Sequence, residues 1–365
     1  MSVILDEFYV PRESAIVDIL KAYPEAREVY QLTIIDFFNN IKKIINSIGS
    51  PLDEIRGKIG EIRDLLTSED PQFGNNASEF YALVTKVKND IEPVLDELSS
   101  PSIGSFYGYD IPKEDQEKLY SYLNSLKERM VRMIAHRIRT PFSNITTSAY
   151  LVDRVYQTTG NFQDQRIIDR MNVIEDCLNE FIEIFEELKD FIAVSFKLDR
   201  HGESIDVIPS EHLAYIFTDL KEEEVFRNTS INIEFEGAPS NIKVEMDQLK
   251  RALRYILINS IDFASAEREL EIQVLIRTEQ REEKERVYVY IHDNGQGIKP
   301  SELSKVFEPF YTQDMVGIDF AKLPGTGCGL GLSIAKGLIE RYGNIEIYSE
   351  YGIGTTVALD FKVRN

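Results

Sequence analysis

"PGTGCGLGLSIAKGLIERYG", residues 324–343, places glycines at positions 325, 327, 329 and 331 and runs directly into an amphipathic helical pattern. Glycine lets a backbone approach other groups closely. The unbonded N–H groups and positive dipole end of a helix start then face an anion such as a phosphate chain. The spacing fits neither the G-x-G-x-x-G turn of dinucleotide folds nor the G-x-x-x-x-G-K-[ST] loop, so both lose ground. For this segment alone, a flexible hinge opening a helix is the competing reading.

The surrounding sequence, after about residue 200, alternates strand and helix. "INIEFEG", "IKVEM", "ELEIQVLIRTE", "RVYVYIHDNG", "NIEIYSEY" and "TTVALDFKV" read as strands, and helices are expected over 247–265, 300–307 and 329–342. A mixed sheet covered by helices, an α/β sandwich, follows. "YIHDNGQGI" (290–298) ends a strand on Asp293 and continues through Gly295 and Gly297, which suits a carboxylate that accepts from an amino group such as adenine's. Alone, Asp-Asn-Gly is also an ordinary turn. In "MDQLKRALRYILINSIDFA" (246–264), Leu249, Leu253, Ile256 and Ser260 share one helix face. Asn259 lies beside that face, where its amide oxygen could ligate Mg²⁺ that also holds phosphate oxygens.

Upstream, the chain reads as helical. Residues 1–98 carry turn signals at "NSIGSPLDE" and "SEDPQFGNNASEF", with helix starts expected at Ser50–Pro51 and Asn76. This region holds no histidine and no glycine-rich loop, and a helical bundle for dimerisation or partner contact is its simplest role. Residues 99–114, rich in Ser, Pro and Gly, form a linker. Then Leu119, Leu123, Leu126, Met130, Ile134, Ile138, Phe142, Ile145, Ala149 and Val152 make one apolar stripe. After "YQTTGNFQD", Ile167, Met171, Ile174, Leu178, Phe181, Phe185 and Leu188 make another. One hairpin has too little interior for two continuous stripes, so a second copy is expected to complete a four-helix bundle, a homodimer.

His136, in "MIAHRIRTPFSNI" (133–145), sits about 160° to 200° around the helix from Ile134 and Ile138 and so points toward solvent. An isolated exposed histidine is ordinarily a neutral surface residue, but neutral imidazole is also a good nucleophile near pH 7. Thr140 shares its face one turn on, and Pro141 cannot donate to the carbonyl of Arg137, which loosens the helix there.

The bulk numbers narrow the class. A formal charge of −21 opposes binding to nucleic acid, and 43% hydrophobic residues in 365 suffice for real cores. Cys177 and Cys328 are the only cysteines, too far apart in sequence to suggest a disulfide framework or a zinc site. The acidic start and the absence of any window near the roughly 20 apolar residues of a membrane span suggest a cytoplasmic chain.

Taken in order, "AHRIRTP", "LRYILINSIDFA", "DNGQGI", "VFEPFYT", "GTGCGLGLSIAKGLIERYG" and "SEYGIGTTVALDF" resemble the H, N, G and F boxes of the sensor histidine kinases of two-component signalling. The resemblance spans about residues 115–363. It implies a multidomain α plus α/β protein: a helical N-terminal region (1–98), a linker (99–114), a dimerisation and phosphotransfer hairpin (115–195), and an ATP-binding Bergerat, GHKL-type α/β sandwich (200–365). It further implies His136 as phosphoacceptor with Thr140 assisting, Asn259 as Mg²⁺ ligand, and Asp293 as reader of adenine. Gly295 and Gly297 would shape the adenine pocket, with Phe310, Gly327, Gly329, Leu330 and Gly331 around the nucleotide. Phe307 and Phe310 would anchor a lid, "YTQDMVGIDFAKLPGTG". The implied ligands are ATP and Mg²⁺, and the implied partner is the receiver domain of a response regulator.

Three positions depart from the pattern. Arg137 stands where the family usually has an acid that can take the imidazole proton, and a guanidinium cannot take it; it could instead attract the γ-phosphate. Asp262 replaces a frequent basic residue, and Lys322 is the lid's only Lys or Arg. Weak nucleotide affinity or slow autophosphorylation is expected, and a nucleotide-gated scaffold or switch is the alternative function. Tyr255 occupies the place of the Glu that hydrolytic GHKL relatives use on water, which favours handing phosphate to an acceptor.

Overall fold

The computed structural model describes residues 14–66, 76–97, 110–161, 163–195, 206–281, 284–311 and 329–363. The chain divides into two compact units, Glu13–Lys189 and a second running from Asp190 to Asn365.

The first unit is helical: α1 (Ser14–Ala22), α2 (Pro24–Leu66), α3 (Asn76–Glu97), α4 (Lys113–Thr159) and most of α5 (Gln165–Ser195). Pro24 at the first turn of α2 loses no helical hydrogen bond. The helix start expected at Ser50–Pro51 is absent, because α2 runs straight through with Pro51 inside it. Its apolar residues explain why: Ile44, Ile48, Leu52, Ile55 and Ile59 keep one unbroken buried stripe across the proline. Pro141 is likewise accommodated inside α4. The helix ends where Gly160 adopts a left-handed conformation and its N–H donates to the Tyr156 carbonyl at 2.8 Å.

Every residue of the two expected stripes is buried. Phe142 of α4 meets Phe181 of α5 edge to face at 4.9 Å between centroids, and Phe181 stacks on Phe185. Within the chain, α1, α2 and α3 pack against α4. Ser78 of α3 donates to Asp153 of α4 at 2.6 Å, Tyr81 meets Tyr150 edge to face, and Arg139 donates to Glu92 and Asp96.

The second unit holds a five-stranded mixed sheet in the order β2 (Ser230–Glu236), β4 (Glu271–Arg281), β5 (Lys284–Asp293), β7 (Gly354–Lys362), β6 (Gly343–Glu350). Only β2 and β4 run parallel. A small antiparallel pair, β1 (Asp206–Pro209) with β3 (Asn241–Val244), meets it where Ile242 bridges to Val363 just after β7. Helices α6 (His212–Lys221), α7 (Met246–Asp262) and α8 (Gly331–Ile339) bury their apolar faces, among them Leu213, Phe217, Leu253, Ile256, Ile334 and Leu338. This is the multidomain α plus α/β architecture expected from the sequence. The helix expected over 300–307 is instead a run of turns, in which Glu302, Lys305 and Glu308 each donate to the carbonyl three residues back. Pro309 disfavours helical geometry at Glu308 and so limits the stretch at its far end.

Phe142→Ala is expected to lower stability by about 3–5 kcal/mol, since it removes a fully packed ring; a urea titration of the intact chain measures this.

Candidate nucleotide site and phosphoacceptor helix

Asp293 closes β5, the middle strand of the sheet, and is buried. Its Oδ1 accepts the Gly295 N–H at 2.9 Å, and its Oδ2 accepts the Ser260 hydroxyl at 3.3 Å. Burial pushes its carboxyl pKa above the ordinary value, and those two donors act in the opposite direction. The following loop demands glycine: Gly297 has φ 67°, and a Cβ there would lie 2.1 Å from the Glu350 carbonyl oxygen. A Cβ on Gly295 would meet the Phe263 carbonyl oxygen at 2.6 Å.

Arg268 is a member of this site that carries no motif. Its guanidinium donates to the carbonyls of Asn294, Gly295, Gly352 and Ile353 at 2.6 to 3.0 Å, tying the loop after β5 to the turn between β6 and β7. Only its place in the short "SAEREL" connection between α7 and β4 could have drawn notice.

Helix α7 links the remaining parts. Ser260 faces Asp293, while its neighbour Asn259 faces the start of α8, where a Cβ on Gly331 would lie 3.3 Å from Asn259 Nδ2. Asn259 donates through Nδ2 to the Tyr255 carbonyl at 3.0 Å, which engages the amide nitrogen and not the oxygen a cation would use. Leu330 is buried at the head of α8. Phe310 is fully buried with φ 59°, its N–H donates to the Gly329 carbonyl at 2.9 Å, and Gly329 itself has φ 65°. Phe191 braces Phe310 edge to face at 5.3 Å. Phe307 carries the Lys336 ammonium over its ring.

The structure therefore brings Asp293, Gly295, Gly297, Asn259, Phe310, Gly329, Leu330 and Gly331 to the region around the C-terminal end of α7 and the end of the central strand β5. Gly327, Gly325, Lys322 and most of the expected lid lie outside the described residues. Among the described residues, no cluster of three or more His, Cys, Asp or Glu side chains offers a metal cage. A single amide oxygen at Asn259 suits Mg²⁺ when nucleotide phosphates and water supply the other ligands.

Sequence reading also passed over Asp190. It accepts from Arg251 and, at 3.1 Å, from the Tyr255 hydroxyl, fastening the last turns of α5 to α7 one turn from Asn259.

In the helical unit, His136 is half-buried on α4 rather than fully exposed, and Thr140 is exposed and donates to the His136 carbonyl at 3.0 Å. Arg137 is not left open toward a phosphate. Its Nη1 donates to Glu187 of α5 at 2.6 Å, and both side chains are largely buried. Glu180 also feels the Arg137 charge, which offsets part of the rise that burial causes in its pKa.

The second unit thus combines a five-stranded sheet backed by helices with an acid at a strand end and glycines at a helix start. Residues 245–365 match the family of histidine kinase-, DNA gyrase B- and HSP90-like ATPases. Sensor protein SrrB of Staphylococcus aureus strain NCTC 8325 is 25% identical over 240 residues, which is 64% of this chain and 38% of that protein. The chain thus spans well under half the length of that relative. Among solved structures, the mycobacterial sensor histidine kinase MprB aligns at 20% identity over 44% of this chain and 99% of its own, with a TM-score of 0.34. Histidine kinase ThkA in complex with response regulator protein TrrA aligns at 18% over 70% and 68%, with a TM-score of 0.45. The family match, over about a third of the chain, and the likeness to sensor protein SrrB support a sensor histidine kinase with a GHKL catalytic domain. Among the described residues, no helix is long and apolar enough to cross a membrane.

Asp293 provides a test with opposed readouts. Because its folded pKa is raised, the stability it confers is present below the unfolded carboxylate pKa and is lost as pH rises through the folded value. Asp293→Asn should therefore equal or exceed the wild type in melting temperature at pH 7, while binding ATP at least about tenfold more weakly, a loss of about 1.4 kcal/mol. Calorimetric titration and a thermal melt of the same two proteins check this.

Proposed function

We propose that the chain is an ATP-dependent protein-histidine kinase that phosphorylates His136 and passes the phosphoryl group to an aspartate on the receiver domain of a response regulator. The reading rests chiefly on α7, where adjacent residues Asn259 and Ser260 join the start of α8 to Asp293.

In this reading Asp293 accepts from the adenine amino group, Arg268 keeps the loop that shapes the adenine pocket in place, and the Gly329–Gly331 backbone approaches the phosphates. Mg²⁺, when bound, offsets phosphate charge in an acidic protein, and Asn259 is its protein ligand. A ring nitrogen of neutral His136 attacks the γ-phosphorus, the bond to the ADP oxygen breaks as the N–P bond forms, and the imidazole proton is released. With Arg137 bonded to Glu187, the adjacent position provides no base, so positioning and charge neutralisation carry the step. The rate is expected to be slow for this class. Thr140 lies one turn from His136, where its hydroxyl can orient water for removing phosphate from the partner. The cytoplasm is the compartment this role requires.

Incubation with Mg²⁺ and γ-labelled ATP should label the wild type with an acid-labile, alkali-stable phosphate and leave His136→Gln unlabelled. Tight ATP binding with no label on the wild type would transfer the case to a nucleotide-gated scaffold. Acid-stable label would point to a hydroxyl acceptor.

A further inference from the structure

Arg251, Tyr255 and Asn259 stand four residues apart on α7 and so share one face of that helix. Asn259 faces the start of α8, and the other two are held by a single carboxylate. Asp190, buried near the end of α5, takes the Arg251 guanidinium on Oδ1 and the Tyr255 hydroxyl on Oδ2, the latter at 3.1 Å. Removing either partner of a buried charged pair costs several kcal/mol, so this grip on α7 is firm.

Tyr255 carries the grip to the glycines. A Cβ added at Gly331 would lie 3.6 Å from Tyr255 Cδ1, 3.8 Å from Tyr255 Cβ and 3.3 Å from Asn259 Nδ2, so the ring and the amide together back the first residue of α8. The next residue of α5 reaches the other flank. Phe191 is fully buried and meets Phe310 edge to face at 5.3 Å between centroids, and the Phe310 N–H donates to the Gly329 carbonyl at 2.9 Å. Two consecutive side chains therefore brace both sides of Gly329–Gly331, Asp190 through Tyr255 and Phe191 through Phe310. These residues all belong to the second compact unit, which takes in α5 from Asp190 onward. The strand-end carboxylate has its own supports: Gly295 and Ser260 hold Asp293, and Arg268 holds the loop after it.

We propose that Asp190 and Phe191 are positioning residues for the phosphate end of the nucleotide site, fixing where the glycine start of α8 stands against Asn259. The inference rests on the nucleotide reading above and adds the last turns of α5 to that site as a working part. Because each acts through another side chain, the pair governs affinity for the phosphates and their Mg²⁺, while the adenine end keeps its separate supports.

The test compares ADP in the presence of Mg²⁺ with adenosine, by calorimetric titration of the full-length protein. Asp190→Ala and Phe191→Leu should each weaken ADP binding about tenfold and leave adenosine within about twofold of the wild type. Tyr255→Phe keeps the ring and removes only the hydroxyl; it should show the same split, and adding it to Asp190→Ala should change little further, because the two act through one contact. Equal losses for ADP and adenosine, which general loosening would give, or unchanged ADP binding in these variants, overturns the proposal. If Asp190→Ala fails to fold, Tyr255→Phe and Phe191→Leu decide in its place. A wild type that binds both ligands but takes no label from ATP would sink the kinase reading and leave this comparison standing; one that binds neither would sink both.

Discussion

A helix with one continuous apolar stripe must have that stripe covered, and the rest of the helical unit follows from how α4 meets the requirement. Residues 119–152 of α4 present ten apolar side chains in register, and all are buried. Fully burying one such side chain contributes roughly 1.5–3 kcal/mol, so leaving the stripe open would exceed the margin by which domains are stable. Covering it fixes which face of α4 remains wet. Thr140 is exposed on that side and His136 half-buried, with Ile134 and Ile138 on the other.

The same burial explains the fate of Arg137. Two residues beyond the buried Ala135, its guanidinium reaches the facing helix rather than solvent and pairs with Glu187. A largely buried ion pair contributes little net stability but costs several kcal/mol when one partner is removed, which makes it a fixed clasp between α4 and α5. Arg137 thus serves the hairpin, and no carboxylate directly follows His136 in the chain.

In the second unit the governing constraint is close backbone approach. Gly295, Gly297, Gly329 and Gly331 each stand where a Cβ would touch or crowd a neighbouring group. Asp293 is held ionisable inside this packing by donors from Gly295 and Ser260, against the burial that raises its pKa. Arg268 draws four carbonyls together and so fixes the loop after β5 against the turn between β6 and β7.

Much of this was legible in the sequence. The six strands read from alternating patterns all form, and the stripes on α4 and α5 are buried as periodicity requires. The glycine positions could be read because only glycine tolerates such geometry. What escaped was set by tertiary partners: Pro51 reads as a helix start until the isoleucine stripe of α2 is seen to cross it, and Arg268 has no local pattern because all its acceptors are backbone carbonyls. Strand β1 escaped because four residues ending in proline carry too little pattern. The buried stripes of α2 and α3 are equally periodic in the sequence, although only those of α4 and α5 were read from it. Native mass spectrometry of the full-length protein after incubation with ATP and Mg²⁺ tests the central claim most directly. The account predicts a phosphoryl group on the wild-type chain and none on His136→Gln; a wild type that binds ATP and carries no phosphoryl group would contradict it.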